Sequence, residues 1–376
     1  MKKYGFISAG EFSGDLLAAE LILELRKIGF GYEWAGICGE RMVETGIASL
    51  VSQDDVNVMG VFEIFRRLPQ LADAEQKILS WVDRFQPEFA VLVDFPGFHL
   101  MLAEKFRLRN IPVFQYIAPK LWAWGESRAR KLRENVSLTL GMFPFETSFF
   151  SDHQVPFLYV GCPLVDRVAG VSFNRSAWGI SLDVPVVALL LGSRKEEISR
   201  LLDVTLEVIQ TLSAEVPHIQ FLWVVASNIS LEWMQTLLGE LPPQVRFVQG
   251  KNLEAMAVAD AAVICSGTAT LECALLGTPL CVMYKMNGFT YEIAKRKVKI
   301  SWISLVNILA KKSVVKEFIQ EFEASDIKEE IIRLLFDQDS REKMQSEFAD
   351  IKKTLSPHAS ASAAQAISHF LRASSI

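Results

Sequence analysis

Short apolar runs separated by stretches of helical spacing recur along the whole chain. Tyr4–Ser8 reads as a strand and Leu16–Ile28 as an amphipathic helix. After a further helical stretch come three short apolar runs, Phe89–Val93, Ile111–Tyr116 and Leu138–Phe143. Buried strands alternating with helices predict a parallel sheet built from crossover units. The series then restarts, with strands at Val184–Leu190, Phe221–Ala226, Val245–Val248, Ala261–Cys265 and Leu280–Tyr284 and a helix at Ile198–Ala214. Two such series predict an α/β protein made of two Rossmann-like, doubly wound domains.

Between the series lies Val155–Gly170, whose Pro156, Gly161, Pro163 and Gly170 suit an interdomain linker. The expected domains are therefore 1–165 and 166–355. The tail 356–376 is Ala/Ser-rich and helical, with Ala361, Ala364, Ile367 and Phe370 to bury, and is expected to pack back onto one lobe. Two doubly wound domains facing a central cleft place ligands at the carboxyl ends of their strands. Many activities share that layout, so it does not choose among them.

Composition narrows the picture. A chain of 376 residues is long for one core and comfortable for two. Half of the residues are hydrophobic and 22% are charged, which speaks against disorder. A net charge of −5 speaks against nucleic acid as a partner, because phosphate backbones demand a concentrated positive field. Cys38, Cys162, Cys265, Cys273 and Cys281 show no CxxC spacing and read as free, buried thiols of a reducing compartment. No signal-peptide core follows Met1, and no apolar run approaches the ~20 residues of a membrane span. A cytoplasmic protein is expected, with any membrane contact peripheral.

Four segments can carry chemistry. Ser8–Asp15 (SAGEFSGD) follows the first strand, and its glycines permit a tight turn into a helix whose free N–H groups suit an anion. An ordinary turn capped by Ser13 or Asp15 is the plainer alternative. In Val91–His99 (VLVDFPGFH), Asp94 ends a buried strand before a Pro-Gly turn and could act as a general base or as a helix cap. Leu190–Glu197 (LLGSRKEE) sets Arg194 at the start of a helix, where it suits a diphosphate; the competing reading is a surface pair with Glu197. Cys265–Glu272 (CSGTATLE) gives a strand, a Ser-Gly-Thr turn and a helix, with Glu272 able to accept both hydroxyls of a ribose; a capping box from Thr268 is the alternative.

No HExxH, Cys/His cluster or GxSxG occurs, so zinc-hydrolase and serine-triad readings lack support. The one DxD, Asp337–Asp339, reads as a solvated turn.

Taken in order, these segments resemble lipid-A-disaccharide synthases nearly end to end. SAGEFSGD resembles the family's AGExSGD, Met59–Glu63 its VMGxxE, and Ala118–Trp124 its SPxxWAW. Pro144-Phe145-Glu146 resembles PFE, Gly192-Ser193-Arg194 resembles PGSR, Ser266–Glu272 is close to identical to SGTATLE, and Ser304–Ala310 resembles SLPNLLA. The resemblance implies a GT-B fold and an inverting transfer of 2,3-diacylglucosamine from UDP-2,3-diacylglucosamine to 2,3-diacylglucosamine 1-phosphate. The product would be the β-1,6-linked lipid A disaccharide 1-phosphate, for outer-membrane lipopolysaccharide.

The resemblance further implies no cofactor and no metal, work at the cytoplasmic surface of the inner membrane, and UDP held by Arg194, Ser266, Gly267, Thr268, Glu272 and Asn307. Asp94 matches the presumed base, and Gly10, Glu11, Ser13, Gly14 and Asp15 the loop on the acceptor side. A homodimer is compatible with it. Phe62, Phe65, Arg66 and Arg67 mix aromatic and basic residues as an interfacial segment does, and equally as a core helix with a basic edge does. The chain departs from the family where DxPDFN becomes DFPGFH and GHP becomes Gly161-Cys162-Pro163. Those departures keep open a paralogue that binds UDP-sugars with altered or lost activity; a further alternative, another GT-B enzyme such as a UDP-GlcNAc epimerase, has the Ala118–Trp124 segment and the Asp94 loop against it.

Overall fold

The computed structural model describes residues 2–56, 61–239, 242–288, 291–292, 295 and 300–373; side chains are described for these except at 61–67. The chain divides into two compact units, Met1–Pro163 with Leu355–Ile376, and Leu164–Thr354.

The first unit is built on a sheet of β1 (Tyr4–Ala9), β2 (Glu33–Cys38), β3 (Ala48–Ser52), β4 (Ala90–Val93), β5 (Val113–Tyr116), β6 (Leu138–Gly141) and β7 (Phe157–Tyr159). The spatial order is β3-β2-β1-β4-β5-β6-β7, and every pairing is parallel. Helices α1 (Phe12–Lys27), α2 (Glu40–Glu44), α3 (Gln53–Val56), α4 (Val61–Phe85), α5 (Pro96–Arg107), α6 (Ala129–Asn135) and α7 (Glu146–Asp152) make the crossovers. Central strands β1 and β4 are buried along nearly their whole length, which is why they read as continuous apolar runs.

The expected linker Val155–Gly170 is not irregular. It contains edge strand β7 and helix α8 (Pro163–Val168), and the division between units falls at Pro163. The chain re-enters the first unit at Leu355, where the Cys162 N–H donates to the Ser356 carbonyl at 2.8 Å. A terminal helix, Ala359–Ala373, then packs on α1. Its buried stripe is Ala359, Ala363, Ala364 and Ile367; Ala361 stands off that stripe, and Phe370 meets Phe114 edge-on at 5.3 Å.

The second unit repeats the plan with β8 (Val186–Leu190), β9 (Gln220–Val225), β10 (Val245–Gln249), β11 (Ala261–Cys265), β12 (Leu280–Tyr284) and β13 (Glu317–Ile319). The order is β10-β9-β8-β11-β12-β13, again all parallel. Its crossovers include α9 (Lys195–Glu215), α10 (Leu231–Leu238), α11 (Asn252–Val258) and α12 (Thr268–Leu276). Each sheet thus reverses direction once, between β1 and β4 in the first unit and between β8 and β11 in the second. Such switch points open a crevice at the carboxyl edge, because the flanking crossovers depart to opposite faces.

All five cysteines are free thiols in the interior. No helix among the described residues is long and apolar enough to cross a membrane.

Candidate functional site

Every segment singled out for chemistry in the first unit ends on its switch point. Gly10–Asp15 follows β1, and Asp94–Pro96 follows the neighbouring strand β4. The two turns interlock. A Cβ on Gly10 would lie 2.3 Å from the Phe95 ring, so only glycine leaves room for that ring. A Cβ on Gly14 would lie 3.5 Å from the Val93 carbonyl, within ordinary contact of the β4 end.

Helix α1 begins at Phe12, four residues earlier than its apolar spacing predicts, so Ser13, Gly14 and Asp15 lie inside its first turn. Glu11 takes the N-cap position without a side-chain cap bond, and Ser13 is exposed. Asp15 does not cap α1. It is buried, and its carboxylate accepts from the backbone N–H groups of Gly39 (2.8 Å), Arg41 (2.9 Å) and Met42 (3.2 Å), capping helix α2. Its expected place in a substrate loop is corrected on that ground.

Asp94 and Phe95 both adopt left-handed backbone conformations, with φ of 51° and 49°. Asp94 does not cap α5, whose N-cap is Phe95 without a side-chain bond. Burial pushes the Asp94 carboxyl above its ordinary range, against the opposing pull of the Lys120 ammonium and of the Phe95 N–H. His99 on α5 is completely buried; its Nδ1 lies 2.8 Å from the Asp94 carbonyl and its Nε2 lies 2.9 Å from Ser8 Oγ. Burial drives its pKa down to about 4, so His99 is not a base poised near neutrality.

The Ala118–Trp124 and Pro144–Glu146 segments follow the adjacent strands β5 and β6 and form one cluster. Trp122 meets Phe145 edge-on at 5.0 Å, and Phe145 stacks on Phe143 at 5.6 Å. Buried Glu146 accepts from Trp122 Nε1 and from the Phe143 N–H, each at 3.1 Å. Trp124 is half exposed, with the Arg128 guanidinium 4.4 Å over its ring. The side chains of Phe62, Phe65, Arg66 and Arg67, and all of Met59 and Gly60, lie outside the described residues.

The second unit repeats the convergence. Arg194 ends the turn after β8, and Ser266–Thr268 is the turn after β11. Arg194 Nη1 donates to Glu197 Oε1 at 2.8 Å, the surface pairing considered from the sequence, and among the described residues its other donors bond no protein group. Glu197 also accepts from the Ser193 N–H at 3.2 Å. Gly192 has φ of 115°, and a Cβ there would lie 2.4 Å from Glu197 Oε2, so this carboxylate shapes the turn.

At β11, the N-cap of α12 is Gly267, not Thr268, and no capping box forms. The first N–H groups of α12 therefore have no side-chain cap, and Thr268 is exposed beside them. Ser266 Oγ donates to the Ile303 carbonyl at 2.9 Å. Glu272 is buried on α12, with Arg167 Nη1 of α8 2.8 Å from its Oε1. The approach is off the hydrogen-bonding line, so Oε1 has a charge partner yet no aligned donor. Burial raises the Glu272 carboxyl above its usual range, and Arg167 opposes that rise.

Asn307 departs from expectation. It is completely buried, its Nδ2 donates to the Val315 carbonyl (2.9 Å) and Glu317 Oε1 (2.8 Å), and its Oδ1 accepts from the Val314 (2.8 Å) and Val315 (2.9 Å) N–H groups. All four positions of the amide are filled, so the side chain organises the loop before β13 and has nothing left for a ligand.

The DxD is a helix start: Asp337 accepts from the N–H of Ser340 at 3.1 Å and from its hydroxyl at 2.7 Å. No group of three or more His, Cys, Asp or Glu side chains among the described residues could hold a metal ion. Spacing assigned no role to Arg167, Lys120, Glu146 or Ser8. Ser8, Lys120 and Glu146 carried a signal only by their place inside quoted motifs, and Arg167 carried none.

Known proteins resemble the chain over nearly its whole length. Residues 5–370 match the family model described as lipid-A-disaccharide synthetase. Lipid-A-disaccharide synthase 2 of Legionella pneumophila (strain Lens) is 35% identical over 375 residues, 98% of this chain and 97% of the relative. Lipid-A-disaccharide synthase of Pseudomonas aeruginosa (strain UCBPP-PA14) is 36% identical over 364 residues, 96% of each. Among solved structures, UDP-GlcNAc 2-epimerase from Neisseria meningitidis bound to UDP-GlcNAc superposes with a TM-score of 0.64 at 13% identity, covering 99% of both chains. The glycotransferase of kitacinnamycin gives 0.63 at 15% identity, covering 98% of this chain and 99% of its own. At such identities the likeness shows the fold alone, which is GT-B.

Proposed function

The chain belongs to the lipid-A-disaccharide synthase family of glycosyltransferases, and from that premise we propose that it transfers 2,3-diacylglucosamine from UDP-2,3-diacylglucosamine to 2,3-diacylglucosamine 1-phosphate, with inversion. The observation that carries this reading is the matching of residue types to switch points. A strand-end carboxylate stands at one, and an arginine, an uncapped helix N-terminus and a buried carboxylate stand at the other.

The second unit suits the donor. Arg194 can turn its unused donors to the diphosphate while Glu197 holds its Nη1, and the first N–H groups of α12, in the turn of Ser266, Gly267 and Thr268, offer further donors to phosphate oxygens, while the Ser266 hydroxyl, given to the Ile303 carbonyl, holds the turn. Glu272, with an oxygen lacking an aligned donor, can accept the ribose hydroxyls. Arg194 and the helix N-terminus would stabilise the departing UDP without a metal ion. The first unit suits the acceptor. Asp94 would take the proton from the attacking hydroxyl on the face of the sugar opposite the leaving UDP, as inversion requires.

Acylated substrates place the reaction at the cytoplasmic surface of the inner membrane. Phe62, Phe65, Arg66 and Arg67 are the residues proposed to meet that surface, and a homodimer is the assembly that the family resemblance admits. The deciding experiment incubates the protein with UDP-2,3-diacylglucosamine and 2,3-diacylglucosamine 1-phosphate and analyses the lipid by mass spectrometry. Formation of the disaccharide 1-phosphate with release of UDP is expected. UDP binding without turnover of the acylated donor overturns the reading in favour of a non-catalytic relative.

A further inference from the structure

We infer that His99 is a positioning residue for Asp94: its Nδ1–H holds the Asp94 carbonyl, its Nε2 is locked by the Ser8 hydroxyl, and together they fix the strand-end turn that aims the carboxylate. The inference rests on the proposed role of Asp94 as the base.

The proton assignment follows from the partners. A backbone carbonyl can only accept, so the ring nitrogen 2.8 Å from it must carry the hydrogen. The other nitrogen is then an acceptor, and the Ser8 hydroxyl at 2.9 Å is the donor. The ring is wholly inside the protein, where a charged imidazolium is disfavoured, so this neutral tautomer persists across the working pH range. Ser8 belongs to β1 and is itself fully buried. The imidazole therefore braces the turn after β4 against the neighbouring strand at the switch point.

The turn needs bracing. Asp94 and Phe95 are consecutive non-glycine residues with positive φ, and Ile117 at the end of β5 is a β-branched residue with φ of 62°. Such conformations are costly for side chains with a Cβ and persist only when their surroundings over-determine them. Gln115, fully buried on β5, supplies a second tether: its Nε2 donates to the Asp94 carbonyl (3.2 Å) and to the Ile117 carbonyl (3.3 Å). The Phe95 ring lies edge-on to His99 at 5.4 Å and fills the space over Gly10. Backbone carbonyl, ring and neighbouring strand thus hold in place the backbone from which the Asp94 carboxylate projects. An Asn side chain at this position could donate to the same carbonyl through its amide nitrogen.

The test uses the full-length protein and its acylated substrates, with wild-type turnover measured first. His99→Ala should lower kcat by about 10- to 100-fold, the scale of a slightly misplaced catalytic group, with the donor KM within about twofold. His99→Asn should recover most of that loss, and Ser8→Ala should show a smaller loss of kcat. Nitrogen-15 spectra of the histidine-labelled wild type should show His99 neutral and protonated on Nδ1.

An unchanged kcat in folded His99→Ala, failure of His99→Asn to recover anything, or an Nε2–H tautomer in the wild type would each overturn the inference. If His99→Ala does not fold, Ser8→Ala and the wild-type spectrum still decide. Wild-type protein that makes no disaccharide overturns the functional reading itself, whereas an active wild type with an unaffected His99→Ala overturns only the positioning role.

Discussion

Arg167 sets its guanidinium 2.8 Å from the carboxylate of Glu272, joining α8, just past the chain's first passage between units, to the helix that follows β11. Both groups are mostly shielded, so the pair is not one of the exposed contacts that contribute little. Its consequence is chemical. Burial favours the protonated form of Glu272, and Arg167 favours the ionised form that can accept two ribose hydroxyls.

Arg167→Met should therefore weaken UDP binding by about tenfold or more, as expected for loss of charge-assisted support. It should weaken 2′-deoxy-UDP less. Because the Glu272 pKa would rise further, affinity should begin to fall at a less acidic pH than in the wild type as pH is lowered. Calorimetry across a pH series checks both points. Equal losses for UDP and 2′-deoxy-UDP, with no displacement in pH, would separate Glu272 from the ribose.

Gly192→Ala probes the diphosphate turn. A methyl group there both meets Glu197 Oε2 and forces alanine to a φ of 115°. The strain is on the order of 1–3 kcal/mol, and relieving it displaces the carboxylate that holds Arg194 and the Ser193 N–H. UDP affinity should fall to a degree similar to that of Arg194→Ala, itself expected to lose tenfold or more. Unchanged UDP affinity in both variants would place the diphosphate elsewhere.

Glu146 gives a prediction in stability. Burial lifts its carboxyl from an ordinary 4.5 to about 7, against its bonds from Phe143 and Trp122. Between those values the folded protein keeps a proton that the unfolded chain releases, so this group's contribution to stability declines as pH rises through that window. Glu146→Gln resembles the protonated form. Its stability relative to wild type should rise across the window by up to about 3 kcal/mol and stay level below it. Urea denaturation at a series of pH values measures the difference. A difference that does not vary with pH would mean that Glu146 titrates as an ordinary carboxylate.

The central strands were legible because burial on both faces leaves continuous apolar runs, as in β4, β8 and β11. β2 and β3 were not. Gly36 interrupts β2 because a Cβ there would lie 1.6 Å from the Ile7 carbonyl, and the register with β3 shifts at the same point. The motifs fall on the loops after the switch-point strands, since strand ends there are where short polar sequences must interrupt apolar ones. Spacing could not tell which polar groups face inward. Asp15 and Asn307 spend all their capacity on backbone groups, whereas Arg167 and Glu272, far apart in sequence, meet in space. Such pairings depend on the approach of separate elements, and no local pattern encodes them.

Removal of divalent ions should leave turnover intact, since Arg194 and the N-terminus of α12 can offset the charge of departing UDP. Enzyme treated with chelator and assayed for disaccharide provides the check. Turnover that is abolished and returns only with added Mg²⁺ or Mn²⁺ would show that these groups do not suffice.

Asp94→Asn should lower turnover by about 10²–10⁴-fold, the usual worth of general-base assistance. The amide keeps the size of the side chain, and the backbone carbonyl that binds His99 and Gln115 is untouched, so the strained turn should survive. UDP affinity should be unchanged, because the groups proposed to hold UDP belong to the other unit. A second measurement ties the loss to the proton. Burial raises the Asp94 pKa, so in the wild type kcat should fall on acidification at a pH above the ordinary carboxylate range. Lys120 opposes that rise, so Lys120→Met should carry the acid limb to still higher pH. Near-normal turnover in Asp94→Asn, or an acid limb that ignores Lys120, would take the base assignment away from Asp94. His99 could not inherit it, because both of its nitrogens are engaged inside the protein and its pKa lies near 4.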